Sequence, residues 1–365
     1  MSAILFVADA ASIHTQRWLI YYRDKGYEVH VASFAPATIE GIVVHSLPSA
    51  HFGKFGYLRA VPTLYRLHRQ LQPVLSHAHY LTSYGAIAAL AGVRPLIVTA
   101  WGSDLLVNVH RSVIHRQMTR LALVRADAIT VVAEHMIPAV RKLAPGMGNC
   151  LRVIPFGVDT DLFQPDERAQ SVDGLRIVCT RVLEPLYDHE TLLRAVGACV
   201  KKGLKFRLDL VGDGSLRGSL ESLARELGIS NHVAFLGRVS HQELAEMLSG
   251  YDVFVTASRS DGNNVSLNEA MASGVFPIAS DIPANRQWIT DGLNGHIFPV
   301  GDPQSLAALL ERSFHDPDFR SVVARRNRNR VELVASWKHF AAEMDNLYAE
   351  VIGQCRRFDS SRSAT

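Results

Sequence analysis

Val253-Phe254-Val255-Thr256 runs into Ala257-Ser258-Arg259-Ser260-Asp261-Gly262-Asn263-Asn264-Val265-Ser266-Leu267-Asn268-Glu269-Ala270-Met271-Ala272-Ser273-Gly274, and then into Val275-Phe276-Pro277-Ile278-Ala279. The segment reads as strand, polar loop, helix and strand again. Its apolar runs are continuous instead of alternating, so the strands are covered on both faces, as in a parallel sheet between helix layers. Asp261 stands just before the helix, and the free N–H groups of its first turn, at residues 264–266, form an anion pocket. Glu269 lies about a turn inside. Two carboxylates so placed can accept hydrogen bonds from neutral hydroxyls, such as those of a sugar or ribose, while the amides hold phosphate. The plainer alternative is a capped helix with solvated acids.

The same alternation extends outward in both directions. Toward the N-terminus, residues 4–8, 29–33, 43–47, 96–99 and 128–132 read as strands, with helices over 15–25, 58–71, 83–90, 112–125 and 134–143. The pattern restarts with strands at 175–179, 206–211, 233–236, 253–256 and 276–279, separated by helices at 191–201, 219–227, 241–248 and 265–272. Two βαβ series of similar length make two doubly wound domains. The chain has 365 residues, which also suggests two domains at about 150 residues each. The polar stretch 165–173 marks the boundary. The expected division is 1–166, then 167–335, with a helix at 336–353 and a flexible tail at 354–365. That helix carries Trp337, Phe340, Ala341, Met344, Leu347, Tyr348 and Val351 at helical spacing, a stripe that suits a return to the first domain.

Composition excludes several classes. With 48% hydrophobic and 20% charged residues the chain is globular, and a net charge of +3 argues against a nucleic-acid partner. Cys150, Cys179, Cys199 and Cys355 form no Cys-x-x-Cys pair, which fits a reducing cytoplasm better than a disulfide scaffold or a zinc site. The first apolar run stops at Asp9 and reads as a buried strand, not a signal peptide. A second glycine loop, Val211-Gly212-Asp213-Gly214-Ser215, follows a strand and opens a helix, the place where backbone amides can approach a phosphate. Alone it is a short pattern.

Together these stretches resemble the family-4 retaining glycosyltransferases of the GT-B fold, the glycogen synthase- and mannosyltransferase-like group 1 enzymes. The resemblance covers essentially the whole chain. The family's Glu-x7-Glu followed by Ala-Met-Ala-x-Gly looks like Asp261, Glu269 and residues 270–274. Its Ile-Pro-Asn-Gly-Val-Asp…Phe-x-Pro looks like Ile154-Pro155-Phe156-Gly157-Val158-Asp159…Phe163-Gln164-Pro165. His77-Ala78-His79 matches its His-x-His, and residues 233–239, ending in Arg238-Val239, match the strand and loop near the nucleotide base. The family's diphosphate-neutralising Arg…Lys pair begins at Arg181, but its Lys falls at Tyr187. Either Tyr187 substitutes a hydrogen bond and stacking for the charge, or another cation such as Arg259 or Arg238 takes over. The usual Gly-Gly after the first strand is Asp9-Ala10-Ala11-Ser12, and the His of His-Gly-x-Asp is Trp101, before Gly102-Ser103-Asp104.

The resemblance implies two Rossmann-like domains facing a central cleft. It implies catalytic roles for Arg181, Asp261 and Glu269, and donor binding by Gly212, Gly214, Arg238, Val239, Asn264, Val265, Ser266, Glu269 and Tyr187. It places Ser12, His79, Trp101 and Asp104 on the acceptor side. The expected reaction is retaining transfer from a UDP- or GDP-sugar to a saccharide or lipid-linked acceptor in cell-envelope polysaccharide or glycolipid synthesis. No metal and no cofactor are expected. The alternatives are a nucleotide-sugar epimerase or phosphorylase on the same fold, and a sugar-nucleotide-binding module without turnover. Three other features have competing readings. Asp159-Thr160-Asp161 has metal-ligand spacing but reads better as part of the interdomain motif. His77 and His79 read as an ordered edge. Residues 54–69 carry Lys54, Arg59, Arg66 and Arg69 among Phe55, Tyr57, Tyr65 and Leu67, a basic aromatic helix suited to an anionic bilayer on the cytoplasmic side, or equally to water.

Overall fold

The computed structural model describes residues 2–35, 37–48, 57–166 and 174–362, with side chains as far as 354. The chain divides into two units, Met1–Pro155 with Ala342–Thr365, and Phe156–Ala341.

The first unit holds a seven-stranded parallel sheet of β1 (Ala3–Val7), β2 (Glu28–Ser33), β3 (Val43–Ser46), β4 (Leu75–His79), β5 (Leu96–Ala100), β6 (Ala128–Val131) and β7 (Leu151–Val153), in the order β3-β2-β1-β4-β5-β6-β7. The second holds a six-stranded parallel sheet of β8 (Leu175–Cys179), β9 (Phe206–Val211), β10 (Val233–Gly237), β11 (Val253–Thr256), β12 (Phe276–Ser280) and β13 (His296–Phe298), in the order β10-β9-β8-β11-β12-β13. Both are doubly wound. Strand order reverses between β1 and β4 in one sheet and between β8 and β11 in the other. Ligands of such sheets bind beyond the strand ends at these points.

Burial follows the unbroken apolar runs. One face of the second sheet packs Ile177, Leu208, Val255 and Phe298 against the helices His189–Lys201 and Pro303–His315. The other packs Val178, Phe254 and Ala279 against Val265–Ala272 and Pro317–Val334. Phe254 and Phe298 are fully buried, each contributing about 1.5–3 kcal/mol of transfer free energy.

Several boundaries differ from the sequence reading. β4, Leu-Ser-His-Ala-His, is a central strand buried throughout, although its composition gives no apolar run. β7 and β13 are three-residue edge strands with no readable period. The helix expected from residue 83 begins as a π-helical turn, Leu81–Gly85, and continues as Ala86–Leu90. Part of the expected boundary, 167–173, lies outside the described residues. The chain passes into the second unit earlier, at Phe156, because residues 156–166 pack there. Val158 N–H donates to Ala335, Trp337 N–H donates to Val158, and a Cβ on Gly157 would sit 2.7 Å from the Trp337 Cα. Within this turn Asp159 Oδ1 accepts from the amides of Asp161 and Leu162, and Asp161 pairs with Lys338 at 3.1 Å. The last helix, Trp337–Arg362, runs through the stretch expected to be a flexible tail. From Ala342 onward it belongs to the first unit, where the Tyr348 ring stacks on Tyr22 at 4.5 Å. Of the basic stretch 54–69, residues 54–56 lie outside the described residues, and its helix is Ala60–Leu71.

Candidate functional site

The reversal point of the second sheet gathers the loops after β8 and β11. Arg181, just past β8, donates from Nη2 to Asp261 Oδ2 at 2.6 Å and from Nη1 to Asn264 Oδ1 at 3.2 Å. Its guanidinium lies 4.3 Å above the centre of the Tyr187 ring. Burial is the largest single influence on Arg181 and would lower its pKa, but the Asp261 carboxylate, together with Tyr187 and Cys179, outweighs it and holds the value above the ordinary one. Asn264 caps the helix Val265–Ala272 by accepting from the Leu267 amide at 3.1 Å, and its own amide donates to Asn285 at 2.9 Å. One side chain thereby orients both the cation and the helix start. Val265 N–H donates to Asn263, and the Ser266 hydroxyl donates to the Thr180 carbonyl at 3.4 Å. Further along the helix, the buried Glu269 accepts from His241 Nε2 at 3.2 Å. The arrangement is a cation, a polar cap, a helix N-terminus and a buried acid within one reversal point, the parts needed to hold an anionic, hydroxylated ligand.

The glycines of the second loop are required by close backbone packing. A Cβ on Gly212 would lie 2.6 Å from the Arg181 carbonyl oxygen, and one on Gly214 would lie 2.5 Å from that of Leu183. Gly212 N–H donates to Gly237 at 2.7 Å, Gly214 N–H to the Asp213 carboxylate at 2.9 Å, and Ser215 N–H to Glu184 at 2.8 Å. These donors are engaged within the protein. The glycines let the 212–215 loop press on the backbone that carries Arg181, so they shape the site from behind. Arg238 is exposed on the loop after β10, and Val239 packs on the core of the second unit. Arg259 is tied to Asp188 at 2.8 Å.

At the reversal point of the first sheet, Asp9, Ser12, Thr15, His79, Tyr80, Ser83, Tyr84 and Trp101 line a cavity of about 310 Å³. Three of the four residues expected on the acceptor side, Ser12, His79 and Trp101, are among them. His79 is buried between Trp18 and Phe6, its ring nitrogens have no partner among the described residues, and burial lowers its pKa to about 3. Asp104 is elsewhere. It is fully buried and accepts from the amides of Leu81, Trp101, Gly102 and Leu105, so it holds the two loops that frame the cavity. Burial raises its pKa to about 6 against the pull of those donors. Tyr80 has a left-handed φ of 74°, a strained conformation that opens the π-helical turn and sets its hydroxyl 2.8 Å from Ser103. His77 bridges Tyr348 at 2.5 Å and Thr99 at 2.6 Å, a structural network.

Residues 3–133 match the family model of glycosyl transferase 4-like domains, and residues 163–330 match that of glycosyl transferases group 1. The chain belongs to the group 1 glycosyltransferases. Among relatives of this family, the putative glycosyltransferase EpsD of Bacillus subtilis is 28% identical over 231 residues, covering 60% of each chain. The GDP-mannose-dependent monoacylated alpha-(1-6)-phosphatidylinositol monomannoside mannosyltransferase of Corynebacterium glutamicum is 24% identical over 288 residues, 72% of this chain and 74% of that one. The fold is GT-B. The crystal structure of Anabaena Alr3699/HepE in complex with UDP and glucose superposes with a TM-score of 0.83 over 96% of this chain and 100% of that one, at 19% identity.

Within this group 1 glycosyltransferase, Arg181, Tyr187, Asp261 and Asn264 meet as one cluster. Sequence reading named all four but separated Arg181, assigned to phosphate, from Asp261, assigned to sugar; the structure joins them as an ion pair. It missed His241, Asn285 and Tyr84. His241 opens a helix behind Ser240 and looks like an ordinary first-turn residue, so its pairing with Glu269 has no sequence signal. Among the described residues no group of three or more His, Cys, Asp or Glu side chains could hold a metal ion, and no helix is long and apolar enough to cross a membrane.

Proposed function

We propose that this glycosyltransferase moves a sugar with retention from a nucleotide-diphosphate sugar, UDP- or GDP-linked, to an acceptor hydroxyl in cell-envelope polysaccharide or glycolipid synthesis. The observation that carries the reading is the Arg181 guanidinium at the reversal point, fixed by Asp261 and Asn264 beside the N-terminus of Val265–Ala272. In such a transfer the bond from the anomeric carbon to the diphosphate oxygen breaks, and a bond to the acceptor oxygen forms on the same face. Negative charge grows on the leaving diphosphate, where Arg181 and the first-turn amides near Ser266 stabilise it. The acceptor proton passes to a phosphate oxygen, so neither a protein nucleophile nor a metal is required. Asp261 orients Arg181 and accepts from a hydroxyl of the transferred sugar. Glu269 accepts from the nucleotide ribose. The Tyr187 ring takes the place of a second cation by stacking on Arg181. The cavity of Ser12, His79 and Trp101 receives the acceptor, with the indole stacking on a sugar face. The GDP-mannose dependence in the name of the Corynebacterium relative supports the donor class.

The test is turnover. Purified protein is incubated with UDP-, GDP- and ADP-sugars in EDTA, and released nucleotide and sugar products are followed. Release of nucleotide from one donor class, faster with an added saccharide or glycolipid acceptor, supports the reading. An altered sugar still attached to its nucleotide would mean an epimerase, and tight binding without release a binding module.

A further inference from the structure

Glu269 is 6% exposed and accepts at Oε1 from His241 Nε2. The imidazole is held from two sides. Ser240 and Glu243 form a capping box that fixes the start of the helix His241–Leu248, and the fully buried Phe163 meets the ring edge-to-face, with centroids 4.9 Å apart. Phe163 is itself pinned, its carbonyl accepting from Arg328. A glutamate has three rotatable bonds, and a buried carboxylate without a donor is costly. Engaging Oε1 with a fixed imidazole selects one carboxylate orientation and leaves Oε2 as an acceptor. We infer that His241 is a positioning residue that presets Glu269 to accept from the vicinal hydroxyls of the nucleotide ribose. The inference rests on the proposed reading of the second unit as the nucleotide-sugar-binding half. Preorganisation of this kind raises affinity by removing an ordering cost from the binding step, and only for ligands that carry the hydroxyls.

The experiment compares calorimetric affinities of the full chain for UDP and GDP with those for their 2′-deoxy counterparts. Wild type should prefer the ribonucleotide by about tenfold or more. His241→Phe keeps a ring against Phe163 but has no donor. It should lose about tenfold for the ribonucleotide and little for the deoxy form, with only a modest fall in Tm from the donor lost to the buried carboxylate. His241→Gln can return an N–H to Glu269 and should restore the preference. If His241→Phe fails to fold, His241→Asn, whose amide is too short to reach, gives the same comparison. An unchanged ribo-to-deoxy ratio in the Phe or Asn variant, or a Gln variant as impaired as they are, overturns the inference while leaving nucleotide binding intact. Wild type that binds none of the nucleotides overturns the donor reading, and the inference with it.

Discussion

Arg181 and Asp261 have side chains only 11% and 14% exposed, so their contact is a mostly desolvated ion pair that binding or catalysis must use as a unit. Arg181→Ala removes the cation of the cluster and should lower kcat/KM by at least about a hundredfold in a folded protein, since more than one charge-assisted bond to the leaving group is lost. Asp261→Asn should impair turnover too, because it releases Arg181 from its fixed position. The double variant should be scarcely worse than Arg181→Ala alone, because residues in contact are non-additive. Steady-state kinetics on the cycle check this, and additive losses would show the two to act independently. His79 supplies a pH-dependent test in the other unit. Its folded pKa of about 3 lies below the ordinary 6.5, so the unfolded chain binds the extra proton between those values. Stability therefore falls as pH drops below about 6.5, by about 2 kcal/mol at pH 5 from this residue alone. In His79→Gln that component disappears. Urea unfolding of both proteins at pH 7 and pH 5 should show the wild type losing more, and parallel losses would contradict the assignment.

At the level of elements, the glycines separate two roles that look alike in sequence. Gly214→Ala forces a Cβ to 2.5 Å from the Leu183 oxygen, so the loop must shift, at about 1–3 kcal/mol, and Tm should fall. Gly218, in the helix Arg217–Glu226, would carry a Cβ with nothing within 4 Å of it; alanine there should stabilise by about 0.5–1 kcal/mol. Differential scanning calorimetry on both variants distinguishes a glycine needed for close approach from one that is merely flexible. The contrast also shows what sequence can carry. The Val/Ile/Leu runs of β1, β8 and β11 announced a parallel sheet because burial on both faces demands continuous apolar residues. β4 escaped because Ser76, His77 and His79 break its apolar run although all three are buried; His77 meets Tyr348 and Thr99, distant in the chain, while the His79 ring packs against Trp18 and Phe6. The helix start at Asn264, with Glu269 about a turn inside it, was legible from the polar loop that precedes it. The role of Asp104 was not, since the amide of Leu81, which it ties to those of its own loop, comes from a distant segment and meets it only after folding.

The molecule as a whole is two parallel-sheet units, each with a reversal point that carries polar groups of its own kind: a paired cation in one, an aromatic cavity edged by hydroxyls and the Asp9 carboxylate in the other. The helix Ala60–Leu71 adds Arg66 and Arg69, with Tyr65 53% and the preceding Leu58 51% exposed, to the first unit. If it meets an anionic bilayer, the protein should pellet with anionic liposomes and release at high salt, and Arg66→Glu with Arg69→Glu should weaken this, each basic residue being worth about 1 kcal/mol. Equal pelleting with neutral vesicles would reduce the helix to a solvated face. The central claim, that the second unit binds a nucleotide-diphosphate sugar through Arg181 and Glu269, is met most directly by calorimetric titration in EDTA. Wild type, Arg181→Ala and Glu269→Gln are each titrated with UDP- and GDP-sugars. The expected result is saturable binding of one donor class by wild type, weakened about ten- to a hundredfold in each variant. Binding that neither substitution alters, or none by the wild type, would contradict it.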